Sequence, residues 1–232
     1  MPNHVINKIT YDGPYNEIVT MLESVMSERD GLPGRHGTID FNKIIPMPAS
    51  LMIESSSRLQ NGVAEYGKFI AQLGDKQPDA EEETRYLAEH DDVSAIKWEL
   101  GKIGYHNERL YGHQDWYGWS IEHWGTKWNA YDDCGDEKGR EFCFNTAWSA
   151  PHPVIKRLSE MYPDITFVHK WADEDIGNNC GEREYEGGRV IYENTFDNMK
   201  EAMDFSFDLW GYTPEEYGLR LSDDGTEYVY EE

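Results

Sequence analysis

Asp173-Glu174-Asp175 comes one residue after an alternating apolar stretch, Ile165 to Trp171, that contains His169. Carboxylates at the end of a strand can converge on a cleft, so this trio could supply a general acid/base pair or hold magnesium. The chemistry would be hydrolytic or metal-assisted, pairing Asp173 or Glu174 with His169 or His123 near an open sheet face. The same three acids could equally begin a solvated turn, and their spacing does not decide. A second acidic run, Asp132-Asp133-Cys134-Gly135-Asp136-Glu137, fails as a calcium loop. Counted from Asp132, Cys134 stands where an oxygen ligand is needed and Glu137 where glycine is needed. The eight histidines form no His-x-x-x-His pair, and nucleophile-elbow, P-loop and dinucleotide patterns are absent. No catalytic residue, metal site or cofactor is assigned, and an enzyme ranks below a binding protein.

The charge balance points the same way. With 45 acids against 21 lysines and arginines, the 232-residue chain carries a net charge of −24. That excludes a passive nucleic-acid coat, which needs a basic surface to release counterions from phosphates. The acid is clustered: residues 79–92, 129–141, 173–186 and 222–232 hold 23 acids and four bases, leaving only −5 over the other 180 positions. Such runs are usually solvated faces that keep a protein soluble. Their functional reading is a surface that stands in for phosphates in the basic groove of a nucleic-acid-handling protein. The candidate contact residues are Glu81, Glu82, Glu83, Asp91, Asp92, Asp132, Asp133, Asp136, Glu137, Asp173, Glu174 and Asp175. The expected partner is a basic host protein, with no direct nucleic-acid binding and no membrane contact.

Eight tryptophans and fifteen tyrosines argue for a folded chain, because such rings exist to be buried or to touch a partner. No apolar run approaches the roughly 20 residues of a membrane span. The opening MPNHVINKIT lacks the basic end and apolar stretch of a signal peptide, so a cytoplasmic location in the host cell is expected. Cys134, Cys143 and Cys180 are odd in number and match no zinc spacing. Cys143 alternates with Phe142 and Phe144, and the expected state is a buried reduced thiol in a reducing compartment.

The elements that would position these residues follow from periodicity. His4–Thr10 alternates as a strand, and Pro14 opens a helix through Ile18, Val19, Leu22, Val25 and Met26 that stops at Gly31. Ile39–Met47 reads as a second strand. Leu51 to Leu73 and the Val93, Ile96, Leu100, Ile103 series predict two helices, and residues 113–124 are aromatic and ambiguous. Trp128–Tyr131 and Phe142–Trp148 predict a hairpin around the polar loop 132–140. A helix over Val154–Tyr162, a strand over Ile165–Trp171, strands Glu182–Glu186 and Arg189–Tyr192 about Gly187-Gly188, and a helix from a Thr195 cap to Gly211 complete the chain. The pattern is α+β, an antiparallel sheet with helices on one face.

Three strings suggest a family, and those that contain Trp-Gly-Thr-Lys-Trp and Thr-Ala-Trp-Ser are the specific ones. Met1-Pro2-Asn3-His4-Val5, Glu122-His123-Trp124-Gly125-Thr126-Lys127-Trp128-Asn129-Ala130 and Thr146-Ala147-Trp148-Ser149-Ala150-Pro151 resemble the YubB-type family. Pro153-Val154-Ile155, Leu158-Ser159, Tyr162-Pro163 and Asp173-Glu174 continue the likeness; residues 49–120 and 212–232 do not share it. The resemblance implies a ferredoxin-like domain toward the C-terminus and a setting among enterobacterial plasmids and phages, but no catalytic residues. Ferredoxin-like here names a split βαβ sandwich: three cysteines do not supply the four thiolates of an iron–sulfur cluster. The expectation is therefore a ferredoxin-like sandwich from 1–48 and 125–211, a helical insertion at 49–124, and an acidic tail at 212–232. The expected function is inhibition of a host nucleic-acid-handling defence factor. A small enzyme and a non-inhibitory scaffold of a mobile-element complex are the alternatives.

Overall fold

The computed structural model describes residues 2–28, 36–91, 93–134 and 140–231. In chain order the elements are β1 (His4–Asp12), α1 (Tyr15–Val25), β2 (Met26–Glu28), β3 (His36–Ile39), α2 (Ser57–Leu73), α3 (Ala80–Glu89), α4 (Ala95–Tyr111) and α5 (Trp116–Trp124). They continue as β4 (Glu141–Ala147), α6 (His152–Met161), β5 (Thr166–Asp173), β6 (Gly181–Glu186), β7 (Arg189–Asn194), α7 (Met199–Trp210), β8 (Leu219–Leu221) and β9 (Tyr228–Tyr230). The chain divides into two compact units, Met1–Pro46 with Ile121–Glu232, and Met47–Ser120.

The first unit is built on one five-stranded antiparallel sheet, ordered β4-β1-β5-β6-β7. β1 pairs antiparallel with both β4 and β5, so those two strands run parallel with β1 slotted between them. Joined by α6, they make a split βαβ unit, which is the ferredoxin-like arrangement. The two-residue period assigns the faces. Register puts Val5, Asn7 and Ile9 of β1 level with Phe142, Phe144 and Thr146 of β4 and with His169, Trp171 and Asp173 of β5. This face is buried; Val5, Ile9, Phe144 and Phe167 are at most 1% exposed, each such side chain contributing roughly 1.5–3 kcal/mol. α6 covers it, packing on β5, β6 and β7 through Val154, Ile155 and Leu158. On the opposite face Ile6, Cys143 and Ala172 meet Leu209 of α7, which crosses one end only. Helices therefore lie on both faces, α7 being the exception to the one-sided expectation. Gly187 and Gly188, at φ +54° and +77°, form the tight turn between β6 and β7, a conformation open to glycine at both positions.

Several local expectations are corrected. α1 stops at Val25, because Met26 leaves the helix to pair with Ile39 in a small ribbon and Asp40 N–H bonds Val25 O at 2.8 Å; the expected stop at Gly31 lies outside the described residues. The second strand ends at Ile39 instead of running to Met47. Asp40 accepts from Asn42 N–H and Asn129 Nδ2 and turns the chain, so that Phe41 enters the core at 0% exposure. Of the strand expected at Trp128–Tyr131, a single bridge from Tyr131 to Asn145 forms. Asn198, not Thr195, caps α7, accepting from Lys200 and Glu201 N–H. Cys143 is not a reduced thiol: it is bonded to Cys134, across the mouth of the 132–140 loop, and only Cys180 is free. Within the segment expected as a tail, Leu219–Tyr230 folds back as the β8–β9 hairpin, with Tyr228 donating to Asp204 of α7 at 2.5 Å.

In the second unit α2 and α4 pack antiparallel, Leu59 lying against Gly104, Gly62 against Gly101 and Tyr66 against Trp98. The core is a nest of rings, Tyr66, Phe69, Tyr86 and Trp98. The expected apolar stripe of α4 is misplaced: Ile96 and Ile103 are exposed, and the buried face runs through Trp98, Gly101, Gly104 and Asn107. Close backbone approach, which only glycine permits, replaces the aliphatic seam. Acid-rich α3, unexpected as a helix, is capped by Asp79, which accepts from Glu82 N–H at 2.8 Å.

Candidate functional site

The acidic residues singled out above fall in different local settings. In the helical unit, Glu81, Glu82 and Glu83 form the first turn of α3, where carboxylates are favoured by the helix dipole. Glu83 binds Lys102 at 2.5 Å and accepts from Trp98 Nε1 at 3.3 Å, and Glu82 lies near Lys76 and Arg85. These two tie the unit together, while Glu81 and Asp91 are exposed. Asp132 and Asp133 are exposed beside the disulfide; Asp92, Asp136 and Glu137 lie outside the described residues. Glu174 and Asp175 are exposed beyond the end of β5.

Asp173 is the surprise of the set. It is 6% exposed. Its Oδ1 accepts from Asn3 Nδ2 at 3.0 Å and from Asp175 N–H at 2.9 Å, and its Oδ2 accepts from Asn179 Nδ2 at 3.4 Å. A carboxylate so engaged organises a turn.

His169 sits on the same face of β5 as Asp173 with Trp171 between them. Four residues along a strand separate the two by about 13 Å, so they do not share a cleft. The histidine is fully buried and belongs to a polar core. Asn7 donates through Nδ2 to Val5 O and Thr146 Oγ1, both at 2.9 Å, which turns its Oδ1 toward His169 Nε2 at 3.0 Å. His169 is thus the Nε2–H tautomer, with Nδ1 a buried acceptor that meets no donor. Burial, with His152 and Arg183 nearby, holds it well below the ordinary histidine range. His152 packs its ring against Trp171 and is pushed down to about 4, mainly by burial. Both are neutral packing groups near neutral pH.

A concavity lies elsewhere, on the part of the second sheet face that α7 does not cross. About 810 Å³ is lined by Thr10, Asp12, Arg140, Glu141, Thr166, Val168 and Glu184, with Tyr11 at its edge. Register explains the arrangement. Glu141 pairs with Thr10, Thr10 with Val168, and Val168 with Glu184, so one transverse row carries a carboxylate at each end. Three strand spacings put those carboxylates about 14 Å apart, too far to share a metal ion. Asp12 pairs with Arg140. One row nearer α7, Lys8 and Lys170 stand opposite each other, with Glu182 3.5 Å from Lys170. The site is a shallow polar floor, rimmed by separated carboxylates, that offers hydrogen bonds and charge to an incoming surface. The sequence alone does not mark it, because Glu141 and Glu184 come onto one row only through the pairing of strands distant in the chain; their alternation within β4 and β6 was the available signal.

Residues 124–213 match the sequence model of a family described as a ferredoxin-like domain in Api92-like protein. The match spans β4 through α7 and leaves out β1, the strand on which β4 and β5 both depend. A solved structure that resembles the chain is Api92 from Yersinia pseudotuberculosis, 11% identical, with 84% of this chain and 98% of that one covered at a TM-score of 0.45. No curated protein matches the sequence. No helix among the described residues is long and apolar enough to cross a membrane.

Proposed function

We propose that this protein is an acidic binding module that docks on a basic nucleic-acid-handling protein of a bacterial host and inhibits it, with carboxylates standing in for phosphates. The finer YubB-type resemblance belongs to the same proposal: it supplies the plasmid and phage setting in which an inhibitor of a host defence factor would act, in the host cytoplasm. The observation that carries the reading is this sheet face, where Glu141 and Glu184 bracket a floor that is open among the described residues. Two of the acid-rich segments, 129–141 and 173–186, supply these two residues. Opposed charge steers association and fixes orientation, and it makes binding depend on salt.

The test is affinity capture of host proteins on the immobilised full chain, eluted by rising salt and then by added DNA or RNA. A basic nucleic-acid-binding protein that leaves with moderate salt, is displaced by nucleic acid, and is captured poorly by the double variant Glu141→Gln/Glu184→Gln is the expected result. Capture that resists salt and ignores both substitutions would contradict it.

A further inference from the structure

The Trp-Gly-Thr-Lys-Trp and Thr-Ala-Trp-Ser strings meet in space. Lys127 Nζ lies 4.6 Å from the ring centroid of Trp128 and 4.5 Å from that of Trp148, so one ammonium is held against two indoles. We propose that Trp128 and Trp148 form a cage for a basic side chain of a protein partner, and that Lys127 is its resident cation, displaced when the partner's lysine or arginine enters. An indole face attracts cations within about 6 Å of its centroid, and two such faces make a cation receptor.

The backbone shows that Trp148 is placed there at a cost. It sits at φ +72°, a region that bulky residues avoid. Burying the ring is not the reason, since Trp148 is 41% exposed. The conformation is imposed from both sides: Trp148 N–H donates to Asn3 O at 2.9 Å, and Trp148 O accepts from Asn179 Nδ2 at 3.1 Å. Those two asparagines are the ones held by Asp173. Flanking residues are locked as well, Thr126 Oγ1 donating to Ala147 O and Ser149 Oγ to Gly125 O. Strain held by so many bonds and spent on an exposed ring marks a binding wall.

The electrostatics suit a cation. Tyr131 backs Trp128 at 6.4 Å between centroids. Its hydroxyl is pushed up to about 12 by burial and by the nearby carboxylates of Asp132 and Glu174. A cation leaving solvent for the cage keeps that negative field. The cage stands at the end of the sheet where β4 and β5 finish, and its assignment does not depend on the acidic floor.

The experiment follows the tryptophan indole N–H signals of the ¹⁵N-labelled full chain while N-acetyl-arginine methylamide is added. The signals of Trp128 and Trp148, identified with Trp128→Phe and Trp148→Phe, are expected to shift together. Lys127→Ala, which vacates the cage, should respond at roughly tenfold lower ligand concentration than the wild type, with Lys127→Gln changing in the same direction. Lys156→Ala, which removes the same charge from α6, should titrate like the wild type. Trp148→Gly, whose backbone accepts the positive φ, should fold and show no response at Trp128. Equal midpoints for wild type and Lys127→Ala, an unchanged response in Trp148→Gly, or shifts produced by nucleoside monophosphates in place of the arginine derivative would each overturn the assignment.

Discussion

Asp173 controls Trp148 at second hand: its carboxylate holds Asn3 and Asn179, and these hold the N–H and the carbonyl of Trp148. Asp173→Ala removes the charged acceptor that three donors share, and a loss of about 1–3 kcal/mol is expected. Because the lost bonds brace a strained residue, the loss should shrink in a Trp148→Gly background. A double-mutant cycle by urea unfolding measures that coupling. The order of two replacements at position 148 is a separate check. Glycine should exceed alanine by about 1 kcal/mol, the reverse of the usual order, because only glycine relieves the positive φ.

The histidine pair sets an acid limit on stability. His152 has its folded value lowered to about 4 from 6.5, and His169 is lowered in the same direction, first by burial. The unfolded chain therefore binds protons that the folded chain refuses. Stability from these groups is full above about pH 6.5 and falls as pH drops toward 4, with His152 alone accounting for roughly 3 kcal/mol. Unfolding midpoints at pH 7 and pH 4.5 test this, and His152→Gln should flatten the difference. An unchanged slope in that variant would mean that other groups carry the acid sensitivity.

In the helical unit, Gly101 faces the backbone of Gly62, and a methyl group on Gly101 would lie 2.2 Å from Gly62 O. Backbone cannot yield as a side chain can. Gly101→Ala should cost about 1–3 kcal/mol through overpacking, more than the roughly 1 kcal/mol that alanine gains in helix propensity. Gly67→Ala is the control. Its methyl would meet only the Tyr105 ring at 3.7 Å, so that variant should gain up to about 1 kcal/mol.

The Cys134–Cys143 bond closes a loop with a sequence separation of nine. Loops of that size contribute about 2–3 kcal/mol when closed. Alkylation in denaturant without reductant should label one thiol, Cys180, and three after reduction, with a lower unfolding midpoint for the reduced protein. Three labels without reductant would remove the bridge from the account.

Much of the sheet was legible in the chain because alternation is a direct record of burial. β1 and β5 show it, β6 and β7 were marked by the Gly187-Gly188 turn between them, and α6 shows the helical period in Val154, Ile155 and Leu158. What stayed hidden depends on distant partners. β2 and β3 take shape only by pairing with each other, and α4 is packed through glycines that no hydrophobic pattern records. Acidity alone marked Asp173 as a surface group; its three donors, drawn from residues 3, 175 and 179, make it an internal brace. Conversely Glu141 and Glu184 were unremarkable until register placed them on one row.

The most direct test of the acidic-module reading is the salt dependence of binding to the captured partner, measured for the wild type and for Glu141→Gln/Glu184→Gln. The expected result is a dissociation constant that rises steeply with salt, a shallower slope in the double variant, and competition by DNA or RNA. A dissociation constant that is flat from low to high salt and identical in the two proteins would contradict the account.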